Sequence, residues 1–304
     1  MGVSPDNFGS DGPKIQGYII HELCRNPSHW TSKFTLDEWL EKTGIPGIEE
    51  VDTRMLTKKI RVSGTMLGIL QVYAEEDIPD FDALKEEVKH IPDPNKRHLA
   101  YEVATNSVKK IDAGIDVNIV LIDCGVKKSI IKNLLERKLN VIVVPPKTSA
   151  KEILDMNPIG IVISNGPGDP KRCENVIETT RELIKSKIPI LGICLGLQIL
   201  ALCLGGDTYK LKFGHRGQNH TCTDVKSKRC YITSQNHGYA VDETSLKDTG
   251  LYVTFINTND KTVEGIAHST LPVSGVQFHP EASPGPNDVN YLFDQFFKGL
   301  KKKN

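Results

Sequence analysis

The most informative segment of this chain is Ile188-Pro-Ile-Leu-Gly-Ile-Cys-Leu-Gly-Leu-Gln-Ile-Leu-Ala-Leu-Cys-Leu-Gly205. Its first part, 188–193, is an apolar run of strand length, and an apolar segment of helical length follows at 195–204. Cys194 stands between Gly192 and Gly196, a spacing typical of a nucleophile elbow, in which the glycines relieve crowding where the chain reverses. The segment therefore predicts a strand, a sharp turn and a helix, with a cysteine exposed on the turn.

Cys194 has the surroundings of a reactive cysteine. A helix that begins just after it would point unpaired amide N–H groups and the positive end of its dipole at the sulfur, which favours the thiolate. The same amides, that of Leu195 first, could donate to an oxyanion formed when the sulfur attacks a carbonyl carbon. The alternative is a tight turn with a buried, inert cysteine, because free cysteine is among the most buried residue types. A base elsewhere in the chain would favour catalysis.

The composition excludes several classes of protein. The 304 residues suffice for two domains, and 38 Lys+Arg balance 38 Asp+Glu, so no net charge favours nucleic acid or an anionic membrane. The seven cysteines are scattered without a C-x-x-C pair, which indicates neither a disulfide framework nor a zinc site. No signal sequence is evident, and no apolar run approaches the roughly 18 residues that span a bilayer. We therefore expect a cytoplasmic protein with a small-molecule ligand.

Two domains are predicted, 1–113 and 114–304. The first is a smaller α+β domain with a capping box at Thr35–Glu38 and a linker at its end. The second alternates strands and helices, which predicts an α/β fold with an open, mostly parallel sheet and helices on both faces. Strands are predicted at 15–20, 66–72, 118–122, 140–144, 160–164, 188–193, 229–233, 251–257, 263–267 and 273–278. Helices are predicted after Thr35 and at 52–61, 81–89, 127–138, 150–155, 174–186, 195–204 and 291–300.

Open α/β sheets bind ligands at the carboxyl ends of their strands, and two loops predicted there carry small or polar residues. Ser164-Asn-Gly-Pro-Gly-Asp-Pro170 contains glycines that would let the backbone approach a ligand and complete an oxyanion hole, although an ordinary turn has the same composition. Gln235-Asn-His-Gly-Tyr-Ala240 is predicted as a loop in which Asn236 could hold the carboxylate and ammonium of an amino acid. A structural role is as plausible as a functional one for His237.

A base for Cys194 is predicted in a third loop, Val276-Gln-Phe-His-Pro-Glu281. Residues i and i+2 of an extended segment project to the same side, so His279 and Glu281 can form a hydrogen bond. A carboxylate that accepts from one imidazole nitrogen leaves the other nitrogen to act as the base. Alone, the pair is equally consistent with a surface histidine beside a surface glutamate. Together with the elbow, it predicts a triad of Cys194, His279 and Glu281.

These motifs resemble those of a known family. Residues 118–300 are similar to class I (triad) glutamine amidotransferase domains in Asn165-Gly-Pro-Gly-Asp-Pro, Gly192-Ile-Cys-Leu-Gly, Gln235-Asn-His-Gly and His279-Pro-Glu. A resemblance to the glutaminase (small) subunits of carbamoyl phosphate synthetases runs nearly end to end. It is carried by Ile45-Pro-Gly-Ile, Asp52-Thr-Arg-Met-Leu-Thr-Lys-Lys-Ile-Arg, Phe213-Gly-His-Arg-Gly-Gln-Asn-His and Pro280-Glu-Ala-Ser-Pro-Gly-Pro.

The resemblance implies an activity, a site and a partner. It implies that Cys194, His279 and Glu281 hydrolyse L-glutamine to glutamate and ammonia through a cysteinyl thioester. The ammonia would pass to a large synthetase subunit that makes carbamoyl phosphate from bicarbonate and ATP, for arginine or pyrimidine synthesis. The residues implied to line the glutamine site are Gly166, Gly168, Leu195, Gln198, Asn236, Gly238 and Tyr239. No cofactor or metal is implied on this chain, whereas ATP and Mg²⁺ are implied on the partner.

The sequence departs from the family pattern in two places. The family's small subunit has further strands before the segment matching Gly2-Val-Ser-Pro, including a serine that contacts glutamine, and this sequence lacks them. The first domain is therefore expected to be incomplete. Residue 197 is leucine where the family often has histidine, which we expect to affect helix packing more than chemistry.

Two other functions remain open. One is the glutaminase of another synthetase, such as those that make anthranilate, GMP or CTP, and the first 110 residues argue against it because they resemble only the carbamoyl phosphate enzyme. The other is a non-catalytic interaction or regulatory module. The presence of Cys194, His279 and Glu281 favours an enzyme over such a module.

Overall fold

The computed structural model describes residues 2–114, 117–283 and 285–301. The chain divides into two compact units, Met1–Asp93 and Pro94–Asn304, so the division lies earlier than the predicted boundary near residue 113. The predicted linker instead contains a short helix and a strand that pairs with a strand at 140–144 of the second unit. This strand, Lys-Lys-Ile at 109–111, is too short to show an alternating pattern in the sequence. Residues 115 and 116, at the predicted boundary, lie outside the described residues.

The N-terminal unit contains short elements with clear end signals. They are β1 (Tyr18–Ile19), α1 (Leu36–Thr43), β2 (Gly47–Ile48), α2 (Thr53–Ser63) and α3 (Phe81–His90). The predicted capping box is confirmed, because the Glu38 amide donates to Thr35 Oγ1 at 3.1 Å and the Thr35 amide donates to Glu38 Oε2 at 2.8 Å. Gly44 ends α1 in the left-handed conformation, with φ 66°.

The two strands predicted in this unit are largely wrong. Of the segment 15–20, only Tyr18 and Ile19 form a strand, which pairs in parallel with β2. The segment 66–72 is not a strand among the described residues, and Met66 and Val72 in it are exposed. Alternating apolar residues form a strand only where a second strand accepts their hydrogen bonds, and sequence periodicity does not supply that partner.

The C-terminal unit is built on one large mixed sheet. Its elements are α4 (Leu99–Val103), β3 (Lys109–Ile111), β4 (Asn118–Ile122), α5 (Lys128–Glu136), β5 (Asn140–Val144), α6 (Ala150–Asp155), β6 (Gly160–Ile163), α7 (Glu174–Lys185), β7 (Ile190–Ile193), α8 (Leu195–Cys203), β8 (Thr208–Asp224), β9 (Cys230–Val241), β10 (Leu251–Asn257), β11 (Val263–His268), β12 (Val273–Val276) and α9 (Tyr291–Lys301). The described strands follow the order β3-β5-β4-β6-β7-β12-β11-β10-β8-β9. The central run from β5 to β12 is parallel, and antiparallel strands flank it on both sides.

Helices cover both faces of this sheet, as predicted. Alternate residues of β4 point to opposite faces, so Val120 packs in one hydrophobic cluster and Leu121 in the other. Helices α6, α7 and α8 contribute to the first cluster, and α5 and α9 contribute to the second. Helix α8 is apolar on all sides, and eight of its nine residues are buried. Among the described residues, no helix has the length and apolar character needed to cross a bilayer.

Candidate active site

The turn between β7 and α8 has the geometry of a nucleophile elbow. Cys194 lies on it with φ 54° and ψ −103°, a strained conformation for a residue with a side chain. A Cβ on Gly192 would lie 2.5 Å from the carbonyl oxygen of Gly196, and a Cβ on Gly196 would lie 2.2 Å from that of Ile163. Both positions therefore require glycine, which confirms the reason for the spacing seen in the sequence.

Cys194 differs from the other buried cysteines by its histidine neighbour. Cys194 is 4% exposed, and its sulfur lies close enough to the His279 imidazole to help raise the pKa of that ring. Burial raises the pKa of four other cysteine thiols, which keeps them protonated and unreactive: Cys124, Cys173, Cys203 and Cys222. The contact with His279 argues against the inert-cysteine interpretation of the turn.

His279 is held by a carboxylate on its other side. Nδ1 of His279 lies 2.7 Å from Oε1 of Glu281, a contact that the i, i+2 spacing predicts. Both side chains are buried. Burial disfavours a charge on the ring, but the Glu281 carboxylate and the contact with Cys194 outweigh it and raise the pKa of His279 to about 9. Burial likewise opposes ionisation of Glu281, yet His279 and the ammonium of Lys127, 3.7 Å away, hold its pKa below the ordinary value.

A chain of buried hydrogen bonds leads to Cys194. Nε2 of Gln277 donates to Sγ of Cys194 at 3.5 Å, and Gln277 is fully buried. Nε2 of Gln198 donates to Oε1 of Gln277 at 2.9 Å and to the carbonyl oxygen of Tyr239 at 2.8 Å. Two predicted site residues, Gln198 and Tyr239, are thus connected to Cys194 through Gln277.

The other predicted glutamine-site residues lie on two segments of the same unit. Gly166 packs against the elbow, because a Cβ there would lie 2.7 Å from Cδ2 of Leu195. Gly168 has φ +93°, a conformation that favours glycine. Asn236 is exposed on β9, and no hydrogen bond between its side chain and the triad occurs among the described residues. Gly238 lies two residues further along β9.

The predicted loop at Gln235–Ala240 is wrong, because these residues continue β9 to Val241. The partner strand β8 was not predicted, and its pairing sets His215 opposite His237. Burial alternates along β9, but its buried positions include Thr233, Gln235 and His237, which a search for apolar periodicity does not detect. His237 is buried, and its Nδ1 lies 2.8 Å from the carbonyl oxygen of Tyr239.

Sequence reasoning also missed two residues that contact the triad. Gln277 lies two positions before His279, so the i, i+2 rule that paired His279 with Glu281 would have found it. Lys127 follows β4 and is distant in sequence from Glu281, so no local pattern reveals their contact.

The sequence and the fold of this chain match proteins of known family. Residues 120–299 match the family described as glutamine amidotransferase class-I, and residues 1–70 match the CPSase domain of the carbamoyl-phosphate synthase small chain. A crystal structure of a Thermoplasma acidophilum protein, provisionally named as part of a GMP synthase, covers 60% of this chain and 92% of its own, with a TM-score of 0.51 at 24% identity. That likeness concerns the fold alone.

Relatives at higher identity extend over nearly the whole chain. The carbamoyl phosphate synthase small chain of Methanopyrus kandleri is 49% identical over 97% of this chain and 81% of its own length. That of Archaeoglobus fulgidus is 46% identical over 99% of this chain and 82% of its own. The pyrimidine-specific small chain of Bacillus subtilis is 44% identical over 99% and 80%. The chain therefore belongs to the carbamoyl phosphate synthase small-chain family, and residues 120–299 are its class-I glutamine amidotransferase domain.

Proposed function

We propose that this chain hydrolyses L-glutamine at Cys194 and passes the ammonia to a carbamoyl phosphate synthase large chain. The observation that carries the proposal is the buried pair of His279 and Glu281, 2.7 Å apart, beside the sulfur of Cys194, which helps to raise the pKa of His279. A nucleophile, a base and an orienting carboxylate in this order can carry out acyl transfer. The small-chain names of the relatives support the large chain as partner.

In the first half of the reaction, the sulfur of Cys194 attacks the side-chain amide carbon of glutamine after its proton has passed to His279. The oxyanion accepts hydrogen bonds from backbone amides at the start of α8, that of Leu195 first, and from Gly168. The imidazolium of His279 then gives its proton to the amide nitrogen, the C–N bond breaks, and ammonia leaves. A γ-glutamyl thioester remains on Cys194.

In the second half, His279 removes a proton from water, and the resulting hydroxide attacks the thioester carbonyl. The C–S bond breaks, glutamate leaves, and the sulfur recovers its proton from His279. Glu281 keeps the ring in one orientation throughout, because it accepts the hydrogen bond from Nδ1. Every proton moves between the substrate, water, Cys194 and His279, so the scheme uses no cofactor on this chain, and ATP and Mg²⁺ are assigned to the large chain.

The α-amino and α-carboxylate groups of glutamine need polar partners near the elbow. Asn236 is exposed on β9 and offers both a donor and an acceptor. Gly238 and Tyr239 follow it on the same strand, and Gln198 has its Oε1 left to accept once Nε2 has donated twice. Gly166 has no side chain, so its backbone can lie close to Leu195 at the elbow.

The test measures ammonia and glutamate released from L-glutamine, with and without a carbamoyl phosphate synthase large chain. We expect release that is abolished by Cys194→Ala and increased by the large chain. The matched control is Cys230→Ala, since Cys230 is exposed on β9 and has no role in the proposal. Mass spectrometry of acid-quenched enzyme should detect a γ-glutamyl adduct on Cys194.

The other outcomes separate the competing functions. Suppose that release depends on Cys194 but is not changed by the large chain. That result would support the glutaminase activity, refute the proposed partner and favour another synthetase. No release from folded protein in either condition would refute the enzyme and favour an interaction or regulatory module.

A further inference from the structure

A second cluster of buried polar side chains lies on three strands of the C-terminal unit. His215 comes from β8, Gln235 and His237 from β9, and Glu264 from β11. Their exposed fractions are 6%, 2%, 5% and 0%, respectively. None of these side chains has a step in the proposed hydrolysis.

Each histidine has one ring nitrogen held by an acceptor outside the cluster. Nε2 of His215 lies 2.7 Å from Oδ2 of Asp260, and Nδ1 of His237 lies 2.8 Å from the carbonyl oxygen of Tyr239. Nε2 of His215 and Nδ1 of His237 must therefore carry the proton. In the neutral rings, the inner nitrogens, Nδ1 of His215 and Nε2 of His237, then each have a free lone pair. Such carboxylate and carbonyl partners are typical of histidines that bind a metal.

The inner atoms of His215, His237 and Glu264 lie within 4.8 Å of one another. Nδ1 of His215 lies 3.2 Å and Nε2 of His237 lies 3.8 Å from Oε1 of Glu264. Nε2 of His237 also lies 3.3 Å from Oε1 of Gln235. Two ligands of one tetrahedral Zn²⁺ ion are about 3.4 Å apart, given zinc–nitrogen and zinc–oxygen bonds of roughly 2.1 Å. The three separations bracket that value.

Hydrogen bonds within the protein satisfy this group only in part. The amide of Asn257 and the hydroxyl of Thr262 reach Oε1 of Glu264 at 3.4 Å, which is long, and the Thr262 hydroxyl is closer to Asp260, at 2.8 Å. Oε2 of Glu264 is buried and has no hydrogen-bond partner among the described residues. A buried carboxylate oxygen without a partner is costly unless a cation is nearby.

The Gln235 side chain places its oxygen beside Nε2 of His237. Its Nε2 group donates to Sγ of Cys222 at 3.1 Å and to Oγ1 of Thr233 at 3.2 Å, which directs its Oε1 toward His237. A second proton on His215 would let Nδ1 donate to Oε1 of Glu264, but it would leave Nε2 of His237 facing the oxygen of Gln235 with no hydrogen between them. A single cation would satisfy all four atoms.

We propose that His215 Nδ1, His237 Nε2 and the Glu264 carboxylate, with Gln235 Oε1 as the fourth ligand, form a binding site for a divalent transition metal of the Zn²⁺ class. Two imidazoles and a carboxylate are a common zinc ligand set. The cysteine spacing of the sequence does not bear on this site, because it uses no thiolate. The metal would fasten β8, β9 and β11 together.

The site connects to the nucleophile through hydrogen bonds already described. The carbonyl oxygen of Tyr239 accepts from both His237 and Gln198. Gln198 donates to Gln277, which donates to Cys194. A metal bound by His237 would therefore fix the strand that carries Asn236, so metal removal is expected to raise the KM for glutamine more than it lowers kcat.

The experiment loads chelator-treated protein with ZnCl₂ or with CoCl₂, removes the excess and measures bound metal by mass spectrometry and the visible spectrum of Co²⁺. We expect one ion per chain and a Co²⁺ spectrum of nitrogen and oxygen ligands. His237→Asn keeps a donor for Tyr239 but removes Nε2, and Glu264→Gln keeps the shape of the carboxylate. Each should weaken binding at least ~100-fold, more than loss of an outer partner does.

The matched control is His220→Asn. The ring of His220 lies 5.2 Å from that of His215 but is not a proposed ligand, so this variant should bind metal normally. Three results would overturn the proposal: no ion retained by the unmodified chain, equal binding by the His220 and His237 variants, or a thiolate-to-cobalt charge-transfer band, which would assign the ion to a cysteine. The Co²⁺ spectrum of the unmodified chain decides the matter even if a variant does not fold.

Discussion

Replacement of Glu281 by glutamine isolates the charge that keeps His279 protonated. The glutamine side chain keeps an oxygen that can accept from Nδ1 of His279, so the ring orientation can be retained while the negative charge is lost. The raised pKa of His279 means that its imidazolium persists up to about pH 9 and is lost as the pH rises further. In Glu281→Gln we expect this loss to occur at a much lower pH.

The magnitude follows from the pKa of the ring. His279 has a pKa of about 9 against an ordinary value of 6.5. A return to 6.5 corresponds to about 3.4 kcal/mol, and burial favours a lower value still. At pH 8 the imidazolium fraction would fall from ~90% to ~3%, so transfer of a proton to the departing ammonia would slow roughly 30-fold.

The assay is the pH profile of kcat/KM for glutamine hydrolysis. The alkaline limb should move from about pH 9 in the unmodified chain to below pH 7 in Glu281→Gln. Glu178→Gln is the matched control, because Glu178 is exposed on α7. If the profile of Glu281→Gln keeps its alkaline limb near pH 9, the Glu281 charge does not set the protonation of His279 and the reasoning fails.

Three further predictions concern packing and caps. Gly196→Ala should lose ~1–3 kcal/mol of unfolding free energy in urea, because its Cβ would lie 2.2 Å from the carbonyl oxygen of Ile163. Gln277→Leu should lose ~1–3 kcal/mol, because it leaves one of the two N–H donors of the Gln198 amide without an acceptor, and its kcat for glutamine should fall. Thr35→Ala should lose about 1 kcal/mol in the N-terminal unit, measured by circular dichroism during urea unfolding, because it removes the cap of α1.

Two of these predictions have a matched control, and all three have a result that would contradict them. Gly299→Ala lies in α9 with nothing within 4 Å of its Cβ, and it should gain up to ~1 kcal/mol of helix stability. Equal stabilities of the Gly196 and Gly299 variants would contradict the steric argument. Unchanged kcat and stability in Gln277→Leu would remove its supporting role. Thr35→Ser keeps the hydroxyl and should match the unmodified chain, and a loss as large as that of Thr35→Ala would implicate the methyl group instead.

The elements around the elbow could be predicted from sequence because their signals are local. Four apolar or capped segments have the predicted ends: 118–122, 140–144, 150–155 and 251–257. The elbow itself rests on steric contacts of Gly192 and Gly196 with nearby backbone, and glycine spacing reports those contacts directly. The contact of His279 with Glu281 could also be predicted, because the two residues are two positions apart on an extended segment.

The remaining features depend on contacts that are distant in sequence. Strand β8 is interrupted by register shifts between Lys210 and His215 and between Gly217 and His220, so no simple alternation marks it. The buried side of β9 carries polar residues, so the sequence pattern predicts a loop there. The position of Lys127 beside Glu281 follows only once β4 and β12 belong to one sheet.

Burial of α8 limits how the turn at Cys194 can move. Eight of nine residues of this helix lie inside the unit, so its hydrogen-bonded amide protons should exchange with solvent only when the whole unit unfolds. The amides that would hold the oxyanion therefore belong to the part of the molecule that opens least often. Any adjustment that admits glutamine must come from the segments facing the elbow, 164–170 and the exposed part of β9, whose amides should exchange faster.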